Sequence, residues 1–141
     1  MRNRAHFIAS TGIFALLFLL YGCGGQPDEK AQHPSIAKAY AEQLSGIQVE
    51  GQGRVVRILP DDREGSRHQR FIVTLNNGHT LLIAHNIDLA PRIINVKKGD
   101  SVTFSGEYEW NSEGGVIHWT HHDPAGRHPS GWIIHGDQKY Q

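Results

Sequence analysis

The chain has 141 residues, with fourteen Lys plus Arg balanced by fourteen Asp plus Glu, and it carries ten His, sixteen Gly, six Pro and one Cys. That length allows one globular domain once the N-terminus is set aside, and a lone Cys excludes an internal disulfide. A balanced charge with no basic run lacks the electrostatic footprint that draws a protein to nucleic acid, so a nucleic-acid partner is not expected.

Residues 1–22 read as a targeting segment. Arg2 and Arg4 make its positive start, and the apolar run from Ile13 to Leu20 is too short to span a bilayer. The run ends in Leu20-Tyr21-Gly22-Cys23, which resembles the lipobox of bacterial lipoproteins through Leu20, Gly22 and Cys23. The resemblance implies cleavage before Cys23 and lipidation of its thiol. It therefore implies a cell-envelope protein held on a membrane and facing the periplasm. Gly24 in place of Asp implies the outer membrane in a Gram-negative cell. Without its leader the chain has twelve Lys plus Arg against fourteen Asp plus Glu, and is slightly acidic. Residues 23–34 are polar and read as a flexible tether.

Residues 35–50 are expected to form one short amphipathic helix and its lead-in. Ser35 suits the N-cap, Ile36, Ala39, Tyr40, Gln43 and Leu44 follow helical spacing, and Gly46 suits the stop. From residue 51 to 141 the pattern changes to period two. Arg54 to Leu59 makes a first strand stopped by Pro60, and Gln69 to Leu75 a second. Thr80 to His85 makes a third, joined to the second by the Asn76-Asn77-Gly78 hairpin signal. Asn86 to Gly99 reads as a crossover loop. A fourth strand follows over Ser101 to Trp110, and a fifth over Gly115 to Thr120.

One short helix and five strands, with a hairpin between the second and third and a longer connection before the fourth, predict a mostly β chain. The expected form is a small OB-type barrel, with a small β-sandwich as the alternative. Gly53-x-Val55 and Gly99-Asp100-x-Val102-x-Phe104-x-Gly106 are similar to small bacterial OB-fold proteins. Residues 51–140 also resemble the uncharacterised bacterial domain-of-unknown-function family 3465. The carrying motifs are Leu59-Pro60-Asp61-Asp62, His68-Gln69-x-Phe71, His85-Asn86-Ile87 and the run His118 to Pro124. That resemblance implies no activity.

The chemistry concentrates in His118-Trp119-Thr120-His121-His122. In an extended strand His118 and His122 share a face about 13 Å apart, so they meet only if the chain turns after Thr120 or a neighbouring strand brings in another imidazole. With such a turn, His85, His118, His121 and His122 are candidate ligands for a divalent metal such as zinc, with Asp123 orienting one of them. His68, His85, Asn86, Trp119 and Trp132 are candidate ligand-binding residues, since OB folds stack bases or sugars on aromatic side chains. Asp61, Asp62 and Asp88 fall where staphylococcal-type nucleases carry carboxylates. However, Leu81, Leu82 and Ile83 stand in place of the phosphate-clamping Arg. The reading that results favours a lipid-anchored binding module for a small molecule, saccharide or protein over an enzyme. The competing reading is a metal-dependent hydrolase or nuclease-like enzyme.

Overall fold

The structure, a computed structural model, describes residues 34–141. The targeting segment, Cys23 and the tether up to residue 33 lie outside the described residues.

Helix α1, Ile36–Ala41, starts as expected, with the Ser35 hydroxyl accepting the Lys38 amide at 3.2 Å. It ends sooner than the spacing predicts. Gln43 takes the left-handed conformation (φ 53°), the Leu44 amide returns to the Ala39 carbonyl and the Gln43 amide to that of Tyr40. This is a Schellman ending in which Gln43 fills the place usually held by Gly. Ile36 and Ala39 are buried against the barrel.

Strand β1 is Ile47–Asp62, far longer than Arg54 to Leu59. Pro60 does not stop it. Pairing of β1 with β4 ends at Arg54, and the register with β2 shifts between Leu59 and Asp62, so the missing Pro amide interrupts no regular ladder there. Strands β2, His68–Leu75, and β3, Thr80–Asn86, form the expected hairpin, closed by Gly78 at φ 82°. Strand β4 is Ser101–Glu109. Strand β5 is only Val116–His118, shorter than the expected Gly115 to Thr120, because Trp119 at φ 50° leaves the extended region. A hairpin absent from the sequence reading follows, β6, Trp132–His135, and β7, Gln138–Tyr140.

The first five strands close into a ring. Its order is β1-β2-β3-β5-β4, and β4 pairs back onto β1. Only β3 and β5 run parallel. This is the five-stranded OB-type barrel with one preceding helix, carrying β6 and β7 as an addition on β4.

Alternation fills the interior with Val49 and Val55, Phe71 and Val73, Leu81 and Ile83, Phe104 and Tyr108, all at most 1 % exposed. Each fully buried side chain of this size contributes about 1.5–3 kcal/mol. Gly106 lies opposite Val49 of β1, and a Cβ on it would run into the His118 carbonyl and Ile117. The ring closes tightly only because that position has no side chain.

Candidate functional site

The inward face of β3 reads Leu81, Ile83, His85, so alternation carries an imidazole into the core at the strand's end. Its Nε2 lies 3.0 Å from the Pro91 carbonyl and its Nδ1 2.8 Å from the Thr120 hydroxyl. A carbonyl only accepts, so Nε2–H donates to Pro91 and Nδ1 accepts from Thr120. Burial holds this imidazole's pKa below 6.5. Opposite it on β2, the Gln69 amide brackets Ile93, donating to its carbonyl at 3.1 Å and accepting its amide at 2.9 Å. Together the two side chains staple the β3–β4 connection to the barrel. Both ring nitrogens of His85, an expected metal ligand and groove residue, are therefore engaged inside the barrel.

At the same end of the barrel the chain turns out of β5. Trp119 takes its left-handed φ, Thr120 reaches His85, and the His121 carbonyl accepts the Gly131 amide at 2.9 Å. Between these ties, Asp123 accepts the amides of Ala125 (2.9 Å), Arg127 (2.7 Å) and His128 (3.0 Å). Those amides, Ala125 first, hold the Asp123 carboxyl below the usual carboxylate range. Asp123 thus organises a loop.

This loop walls a cavity of about 410 Å³ lined by Ser66, His68, Asn86, Leu89, His118, Trp119 and His121. His68 is steadied by the Ser66 carbonyl at 2.8 Å, and His121 by the His122 carbonyl at 2.8 Å. A carbonyl accepts, so both rings donate from Nδ1 and keep Nε2 free of these bonds. The Trp119 indole stacks on His128, with ring centroids 3.7 Å apart and planes at 19°. The groove unites His68, Asn86 and Trp119 of the expected ligand-binding set. Trp132 is not among its lining residues; it lies on β6 with the Lys139 ammonium 5.4 Å from its ring. His122 is exposed and bonds Ser130 at 3.0 Å. A larger but more open depression of about 650 Å³ runs along β6 and β7, and its His135 is occupied by Asp100 at 2.8 Å.

A second cluster adjoins the groove on the opposite side of β4 from the core. Tyr108 points inward, so Glu107 and Glu109 share the outer face, and the antiparallel register sets His118 directly across from Glu107. His118 Nε2 lies 3.4 Å from Glu107 Oε1 and 3.7 Å from Glu109 Oε1. The other oxygen of Glu107 lies 3.4 Å from His128 Nδ1. Among the described residues, Glu107, Glu109 and His118 bring three metal-ligating atoms within 4.8 Å of one another. Of the four imidazoles expected to share a metal, only His118 belongs to this group. The alternation Glu107-Tyr108-Glu109 puts both glutamates on one face in the sequence, and the register of β4 on β5 is what brings His118 to them.

The carboxylates compared with nuclease positions are engaged elsewhere. Asp61 pairs with Arg92, and Asp88 accepts both the backbone amide and the side chain of Arg67, each at 2.7 Å. Arg67 lowers the Asp88 carboxyl first through its amide and then through its guanidinium. Asp62 caps the Glu64 amide at 3.0 Å. These contacts tie down loops of the barrel.

Compared with known families, residues 18–141 match the model described as "Protein of unknown function (DUF3465)", and the chain belongs to that family. No curated protein matches it.

Proposed function

We propose that this member of the family is a lipid-anchored cell-envelope module that binds an uncharged, polar ligand of the saccharide class in the groove beside Trp119. The observation that carries this reading is the chemistry of the lining. Ser66, His68, Asn86, His118 and His121 supply hydrogen-bonding atoms, Leu89 and Trp119 supply apolar surface, and among the described residues no Lys, Arg, Asp or Glu lines the cavity. Sugars present hydroxyls on their edges and C–H faces to an aromatic ring, and a volume of about 410 Å³ is in the range of small-ligand sites. Stacking on His128 holds the indole in place before a ligand arrives, which lowers the cost of ordering it.

The anchor rests on Cys23 and the apolar run before it. No helix of the described residues is long and apolar enough to cross a membrane.

One experiment tests both halves. Cells expressing the unsubstituted chain or Cys23→Ala are fed labelled palmitate, and the purified proteins are titrated with chitooligosaccharides while tryptophan emission is followed. Label on the unsubstituted chain alone, with a saturable emission change lost in Trp119→Ala and weakened about tenfold or more in Asn86→Ala, is the expected result. Absence of label rejects the anchor. Absence of saturation, or saturation unaffected by Trp119→Ala, rejects the groove.

A further inference from the structure

We propose that Glu107, Glu109 and His118 form a three-ligand zinc site on the outer face of the β4–β5 ladder, at the edge of the groove.

The spacing is that of metal ligands. Bonds of about 2.0–2.1 Å at tetrahedral angles place neighbouring donor atoms about 3.3 Å apart, whereas a charge-assisted hydrogen bond closes to about 2.7–2.9 Å. The observed separations from His118 Nε2 are 3.4 Å and 3.7 Å. That nitrogen is sealed from solvent and has no hydrogen-bond partner, although two carboxylates flank it. An octahedral ion with bonds of about 2.1 Å would draw adjacent ligands to about 3.0 Å, which fits these distances less well.

Charge points the same way. Glu107 and Glu109 place two carboxylates side by side, and among the described residues no Lys or Arg lies within ion-pair distance of either. A divalent cation between them relieves the repulsion. The imidazole selects against calcium and magnesium, which prefer all-oxygen shells, and the mixed nitrogen and oxygen set suits zinc.

The surroundings are built to hold the ligands. The second oxygen of Glu107 lies 3.4 Å from His128, whose ring is clamped on Trp119. Three protein ligands leave a fourth position for water or an incoming group. Because His118 also lines the groove, the ion would border the cavity without depending on any saccharide bound there.

The test uses the full chain in detergent, without a polyhistidine tag, stripped with a chelator and titrated with zinc chloride against a chromophoric competitor. One zinc per chain is expected. Affinity should fall about tenfold or more in Glu107→Gln and in Glu109→Gln, and about a hundredfold in His118→Ala, while His122→Ala binds like the unsubstituted chain. Glu109 is 42 % exposed, so its amide variant keeps the fold and reads ligation alone. Cobalt in place of zinc should give the visible bands of a four-coordinate ion, discharged by one equivalent of zinc. X-ray absorption should show only light atoms at about 2.0 Å. Failure to take up zinc stoichiometrically, or equal affinity in Glu107→Gln, Glu109→Gln and the unsubstituted chain, overturns the proposal. Sulfur in the metal's shell, which would place it on Cys23, overturns it as well.

Discussion

His85 is disfavoured as a cation by its burial inside the barrel, and this gives the fold a pH dependence of known sign. Burial sets its folded pKa below 6.5, the value it approaches in the unfolded chain. As pH falls below about 6.5 the unfolded chain takes up the proton first, so this stabilisation is whole above that pH and declines beneath it, at most by about 1.4 kcal/mol per pH unit. His85→Gln keeps a donor and an acceptor but does not titrate. Its urea midpoint should drop less than that of the unsubstituted chain between about pH 7.5 and about pH 5.5, and equal drops would remove His85 as the source. The alternation Leu81, Ile83, His85 made its burial legible in the sequence. What was not legible was the partner: Pro91 and Thr120 come from segments whose approach only the closed ring defines. The same holds for Glu107 and His118, each visible as a residue, whose meeting needed the register of β4 on β5.

Strands were legible where turn chemistry punctuated them. Asn76-Asn77-Gly78 marks the β2–β3 hairpin, and the two-residue Gly136-Asp137 turn, with Gly136 at φ 59°, is an equally readable signal for β6 and β7. Strand β1 outruns the expected Arg54 to Leu59 at both ends, through Gly51 and Gly53 on one side and Pro60 on the other, and none of the three breaks it. Gly51 and Gly53 are instead where Phe104 and Val73 press on the strand's backbone. Gly106 works in the same way on β4, which makes it a decisive position for the element. Gly106→Ala should cost about 2–3 kcal/mol in urea denaturation, because the neighbouring His118 carbonyl is backbone and cannot swing aside. A loss under about 0.5 kcal/mol would show that β5 can move away from β4.

Among the described residues, the core begins upstream of the region whose period-two pattern first announced a barrel. Ile36, Ala39 and Val49 belong to the core, and Ile47 to Glu50 already pair with β4. A chain of residues 35–141 should therefore unfold in urea in one cooperative transition with a β-type far-ultraviolet spectrum. A chain beginning at residue 51 should lose about 4 kcal/mol or more, a large share of the roughly 5–15 kcal/mol typical of a domain. Equal stability of the two would assign α1 and the start of β1 no part in the fold. The pairing of Ile47 with Tyr108 has a further consequence in time. A polypeptide made from its N-terminus holds the start of β1 without a neighbour until β4 has been synthesised, and β3 keeps an open edge until β5 follows. Contacts so distant along the chain make folding slow, on the order of milliseconds to seconds for barrels of this kind. A nascent chain that cannot close its ring early stays threadable, the condition a polypeptide needs to pass through a narrow channel before it folds on the far side.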